Sequence, residues 1–219
     1  MSREKWDEAL PLGRWLEAVA SPQPLPAGGR VASVSGAFAA ALVEKIGRIV
    51  LRSPSRSALH LVAEEVAARA AALRPLLLAL GDADDRAYAA VMAARRAGGG
   101  SAASVPLHDA EISAARLQVA LIEYCVEIVE LAHRFEGRVG PALGADLATA
   151  RYLAAAAARG AHGNVEADLA NLAADPHAAS LRAAAGAALA RALQATGASG
   201  RPQQQPDTPQ PEPDPGDAA

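Results

Sequence analysis

The residues of this chain that could do chemistry are few and mostly acidic. Asp146 follows Gly144 and Ala145 at the start of an apolar helical stretch, where burial would desolvate its carboxylate. A desolvated carboxylate can move a proton and can favour a cation beside it. Asp84 is the second candidate. With Tyr88 and Met92 it forms a row at i, i+4 and i+8, one face of a helix. Both acids also have a plain structural reading as first-turn helix residues favoured by the dipole, and Asp82 and Asp85 compete with Asp84 for that place. Gly28 and Gly29 precede a long helical pattern. They either open backbone N–H groups to a ligand or make a tight turn with close packing. Arg30 is unusual at a helix start, because a cation there opposes the dipole; it is a carboxylate-binding group or a solvated side chain. Asn164 comes eighteen residues after Asp146. On one continuous helix the two would face the same way but stand about 27 Å apart. They cannot serve one reacting atom within one subunit. Asn164 is then a structural amide, or part of a site that a second subunit completes.

Other chemistries find little support. The lone cysteine, Cys125, sits in an apolar helical run and reads as a core residue. The five histidines, His60, His108, His133, His162 and His177, have no metal-site spacing, so no metal is expected. Net charge is −3, and residues 201–219 account for it with one arginine and four acids. The rest of the chain carries equal numbers of basic and acidic residues, which argues against a nucleic-acid partner. The opening MSREKWDEAL lacks the apolar core of a signal peptide, so a cytoplasmic location is expected. The most apolar stretch, residues 147–158, is interrupted by Arg151 and too short to span a bilayer.

The elements that must position these residues read as helices throughout. Apolar residues make up 51% of the chain but aromatics only 3%, and most of the apolar content is alanine. Alanine forms helices well and fills cores poorly. The composition therefore predicts closely packed helices, thin burial in one subunit, and association into an oligomer. Helical periodicity marks residues 3–20, with Trp6, Leu10 and Leu16 in one stripe, then 31–52 and 58–80. Gly81 reads as a stop and Asp82 as the cap of a further helix over 83–96. GGGS at 98–101 reads as a flexible connection. Residues 107–136 carry two apolar stripes, the mark of a long central helix covered on two sides. Further helices follow over 145–172, weakened at Gly160 and Gly163, and over 177–195. The expected architecture is an all-α bundle of six or seven helices over residues 1–196, with a disordered proline-rich acidic tail over 197–219.

Four islands in order give the chain a family resemblance. They are PLPAGGRVAS at 24–33, followed by Ser35-Gly36-Ala37; DDRAYAAVMAA at 84–94; VELA at 129–132, with Asp146 fourteen residues beyond; and ARGAHGNVEADL at 158–169. Together they resemble the formiminotetrahydrofolate cyclodeaminase/methenyltetrahydrofolate cyclohydrolase family. Asp84, Asp146 and Asn164 match the family pattern. Ala27 stands in place of a glycine and Arg30 in place of a serine. Ala145 also replaces a serine, and Asp168 replaces the second asparagine of the last island.

The resemblance implies an all-α dimer acting in folate one-carbon metabolism, with a tetrahydrofolate derivative as substrate and no metal or organic cofactor. One implied reaction cyclises 5-formiminotetrahydrofolate with loss of ammonia; the other hydrolyses 5,10-methenyltetrahydrofolate. It makes Asp146 and Asp84 the expected catalytic carboxylates and Gly28, Gly29, Arg30, Tyr88 and Asn164 the expected substrate contacts. The folate's glutamate carboxylates would fit the N–H groups at Gly28 and Gly29. The competing expectations are a non-catalytic folate-binding relative and a helical scaffold for a partner protein.

Overall fold

The computed structural model describes residues 11–97, 105–194 and 196. The expected stripe at Trp6 and Leu10, the connection at 98–101 and the tail over 197–219 lie outside them. The described residues form six α-helices and one short 3-10 helix, with no strand. They are α1 (Leu12–Val19), α2 (Gly28–Leu51), a 3-10 helix (Pro54–Leu59), α3 (His60–Ala97), α4 (Val105–His133), α5 (Pro141–Asp168) and α6 (Pro176–Gln194). No helix is long and apolar enough to cross a membrane among the described residues.

Four helices make the body. α3 and α5 each pack on α2 and on α4 but not on each other, and α6 lies across α4 and α5. α2 is buried along Ala39, Ala40, Val43, Ile46 and Val50. Both predicted stripes of α4 are covered, through Ile122, Val126 and Val129 on one side and Leu121, Ile128 and Leu131 on the other. α4 is therefore central, as its pattern required, although α3 with 38 residues exceeds its 29.

The alanine-rich core works only because the helices come close, and glycine sets that distance. At Gly47 of α2 a Cβ would lie 2.9 Å from Ala67 Cβ and 3.0 Å from the Ala63 carbonyl oxygen of α3. That carbonyl is backbone and cannot swing aside. Gly47→Ala is expected to force α2 and α3 apart and destabilise the fold by about 1–3 kcal/mol, more than alanine's helix propensity returns. Thermal melts of the variant check this; an unchanged midpoint defeats it.

Two expectations about helix ends do not hold. Gly81 does not close a helix, and Asp82 does not cap one: α3 runs unbroken from His60 to Ala97, through both Pro75 and Gly81. Leu73 and Leu77 flank Pro75 and are fully buried, and that burial outweighs the hydrogen bond proline removes. Gly81 marks a crossing. A Cβ there would lie 2.8 Å from Arg30 Cδ and 3.1 Å from Ser33 Cβ of α2. The glycine leaves room for the Arg30 side chain to cross α3. The weakening expected at Gly160 and Gly163 is also absent, since α5 is continuous to Asp168. It starts earlier than its pattern suggested, with Pro141 in its first turn, so Asp146 sits in the second turn and not at the helix mouth.

α2 and α5 run antiparallel. Gly28 faces Asn164, Gly160 faces Ala32, and Lys45 pairs with Asp146. This register decides which of the candidate residues can meet.

Candidate active site

The N-terminus of α2 meets α3, α4 and the end of α5 in one place, and there the polar side chains gather. Ala27 in the cap position makes no side-chain hydrogen bond to the first turn of α2. Gly29 follows, buried, and a Cβ on it would overlap the Asp84 carboxylate and come within 2.7 Å of Gln118 Nε2. Glycine at 29 therefore lets Asp84 lie against the positive end of α2, where a carboxylate is favoured. Gln118 of α4 donates from Nε2 to Asp84 Oδ1 at 2.5 Å. Its Oε1 accepts a long hydrogen bond from Asn164 Nδ2 at 3.5 Å. Asn164, Gln118 and Asp84 thus form a chain linking α5, α4 and α3, two of which do not otherwise touch.

Asp168 lies one turn beyond Asn164, as the last residue of α5. Burial pushes its carboxyl up to about 7, and the negative charges of Asp84 and Glu111 push in the same direction against Arg95. Its place at a helix C-terminus also disfavours an anion. Asp84 is raised too, by burial, but the Gln118 hydrogen bond and the Arg30 charge oppose that shift. Two neighbouring carboxyls thus sit in contrasting surroundings, one at a helix N-terminus with an amide donor, the other at a helix C-terminus beside anions. Such a pair can hold one proton and lack another at neutral pH.

Glu111 of α4 is completely buried. Arg95 Nη2 donates to its Oε1 at 3.0 Å, and its Oε2 has no hydrogen-bond partner among the described residues. Neither Asp84 nor Asp168 makes an ion pair among the described residues. The site is consequently rich in negative charge and suited to a cationic ligand group that offers N–H donors.

The structure brings together Asp84, Gly28, Gly29 and Asn164 of the residues the sequence nominated. Tyr88 is on the same face of α3, one turn beyond Asp84, and half-exposed. Arg30 is not a solvated side chain. It is 6% exposed and forms an ion pair with Asp82, with Asp85 Oδ2 at 3.9 Å. The misfit of a cation at a helix start is resolved by these two acids of α3. Asp146 stands apart. Its carboxylate is 36% exposed and accepts from Lys45 Nζ at 2.7 Å, so the desolvation expected of it is not found. Continuous α5 also keeps it about 27 Å from Asn164.

Sequence reading passed over Gln118, Glu111 and Arg95 and took Asp168 only as a departure. A signal for three of them was present. Glu111 and Gln118 are seven residues apart on a helix otherwise striped with apolar residues, and Asp168 follows Asn164 by four. Polar residues on a shared face of a buried helix need partners.

Gly29 offers a direct test of the geometry. Gly29→Ala is expected to displace the flexible Asp84 and Gln118 side chains, with little change in melting temperature because no backbone blocks the Cβ. Turnover or ligand binding at the site should fall by at least about tenfold, the effect of misplacing a positioned group. A variant that binds and turns over like the parent would contradict the packing described.

Fold and cluster together define an all-helical protein with an acid–amide site built where four helices meet. The chain belongs to the formiminotransferase-cyclodeaminase family, whose model matches residues 11–187. Among solved structures, formiminotetrahydrofolate cyclodeaminase from Thermotoga maritima is similar, with a TM-score of 0.73 over 87% of this chain and 98% of that one, at 21% identity. That likeness carries the fold. No curated protein sequence matches the chain.

Proposed function

We propose that this chain is a folate one-carbon enzyme that closes a formimino group on tetrahydrofolate to the 5,10-methenyl bridge and releases ammonia. The observation that carries the reading is the meeting of Asp84 and Asp168, two partly buried carboxyls without ion-pair partners among the described residues, at the N-terminus of α2. A formimino group on N5 is an amidinium, a planar cation with N–H donors, and carboxylates complement it. N10 attacks the formimino carbon and gives its proton to Asp84. Asp168, held protonated, gives its proton to the departing nitrogen as the carbon–nitrogen bond breaks. One proton enters the site and one leaves, and the positive charge ends on the methenyl bridge. Gln118 and Asn164 hold Asp84 in place.

Hydrolysis of the methenyl bridge uses the same pair with water as nucleophile, and is the second reading. The methenyl cation has no N–H to offer the carboxylates, so the geometry favours the formimino substrate. The experiment follows the near-ultraviolet absorbance of the methenyl compound. Its growth from 5-formiminotetrahydrofolate supports cyclisation. Its loss without that growth supports hydrolysis. Neither, together with a folate-dependent rise in melting temperature, leaves a non-catalytic binding relative.

The active form in this reading is a homodimer. Leu12 and Leu16 of α1, Phe38 of α2 (52% exposed) and Tyr152 of α5 (60% exposed) are large apolar groups facing outward. Phe38 and Tyr152 lie at one level of the antiparallel α2–α5 pair, a place for a second copy to cover. Asp146 can join the Asp84 cluster only from such a second copy.

A further inference from the structure

The face of α3 that carries Asp84 continues beyond the site. Tyr88, Met92 and Arg96 follow it at steps of four, and Arg96 lies about 18 Å along the helix from Asp84. With Ala89 they form one wall of a cleft of about 220 Å³; Pro24 and Leu25 form the other. Both walls are built on chain segments that continue to the acid cluster. Tyr88 is one turn from Asp84, and Leu25 is four residues before Gly29, which lies against the Asp84 carboxylate. Apart from the Tyr88 hydroxyl and the Arg96 guanidinium, the lining is apolar. Arg95 pairs with Glu111, whereas its neighbour Arg96 makes no ion pair or side-chain hydrogen bond among the described residues.

We infer that this cleft seats the aryl–glutamate arm of the ligand whose reacting nitrogen sits at Asp84, with the aromatic ring between Tyr88, Met92 and Leu25 and a glutamate carboxylate on Arg96. The inference rests on the folate reading and fixes the direction in which the molecule lies. A flat ring fills a narrow apolar cleft well, and a thioether beside its edge is favourable. An arginine head at the far end pairs with a carboxylate in two parallel hydrogen bonds. The reverse placement, with the carboxylate at the Gly28–Gly29 N–H groups, sets it beside Asp84 and Asp168. Two carboxyls already repel there, since the charge of Asp84 raises the Asp168 carboxyl. The glutamate end is therefore directed away from the helix N-terminus for which the sequence nominated it.

The test compares tetrahydrofolate with its glutamate diamide, which has the same rings and arm and no carboxylate, binding to the full chain by calorimetric titration. The parent should prefer tetrahydrofolate by about tenfold, the worth of one charge-assisted pair. Arg96→Ala should bring tetrahydrofolate down to the level of the diamide and leave the diamide unchanged. Arg96→Lys should retain part of the preference, and Arg86→Ala, an exposed change elsewhere on α3, all of it. Tyr88→Ala should weaken both ligands alike. A preference that survives Arg96→Ala, or none in the parent, overturns the orientation while the folate reading stands on binding itself. Binding of neither compound removes the folate reading and this inference with it.

Discussion

Asp84→Asn is expected to lower turnover by about 10²–10⁴-fold, the contribution of a positioned acid–base group. The fold should survive, because asparagine keeps the shape of the side chain and still offers Oδ1 to the amide of Gln118 that now bonds it at 2.5 Å. Melting temperature and helical content should stay near those of the parent, so lost turnover would be lost chemistry. Initial rates of methenyl formation make the measurement. Asp146→Asn is the matched control. With Asp146 paired to Lys45 away from the cluster, a comparable loss in that variant would show that a second subunit brings it in. Undiminished turnover in Asp84→Asn would end the proposed mechanism.

Asp168→Asn, unlike Asp84→Asn, should raise stability, and it should change the pH dependence. In the folded protein the Asp168 carboxyl titrates at about 7, against 3.8 for the ordinary side chain. The folded state therefore binds more protons than the unfolded state between those values. Stability falls as pH rises through that window and reaches its lower level above 7. Asparagine has no charge to bury, so the variant gains nothing near pH 4 and its full advantage above pH 7. With each pH unit worth about 1.4 kcal/mol and solvent access discounting the total by roughly half, the gain is about 2 kcal/mol. That corresponds to roughly 5 °C in melting temperature for a domain of this size. Melts at pH 5 and pH 8.5 read it directly. Turnover should move the other way. The parent should lose rate as pH rises through 7, where Asp168 gives up the proton it donates, and the variant should be slow without that limb. Equal stability of both proteins at pH 8.5 would mean that the carboxyl is not under strain. A functional group that destabilises its own fold is the usual price of an active site.

The buried Glu111 carboxylate fits the same pattern. One oxygen has Arg95 and the other has no hydrogen-bond partner among the described residues. A buried acceptor left so is costly, and its place beside Asp168 gives it a use: its charge helps to hold the Asp168 proton.

Much of the fold was legible along the chain. Alanine content and apolar spacing dictated helices, because a helix is a local structure and its period is written every three to four residues. The start of α6 was placed within one residue, and the double stripe of α4 correctly marked its burial on two sides. The family islands were legible for a related reason: each is a short run, and Asp84, Gly29 and Asn164 each lie within one.

Tertiary structure decided what depends on partners far along the chain. Gly81 is a helix breaker in isolation and a crossing point once Arg30, fifty-one residues earlier, lies across it. Arg30 itself is an ill-placed cation until Asp82 arrives from another helix. Asp146 and Asp168 exchanged expectations for the same cause. Each is an acid on α5, but the first emerges where Lys45 and solvent meet it and the second where Asp84 and Glu111 do. Sequence periodicity fixes which way a side chain leaves its own helix. Charge and burial depend on the other helices around it, and only the packed bundle supplies them.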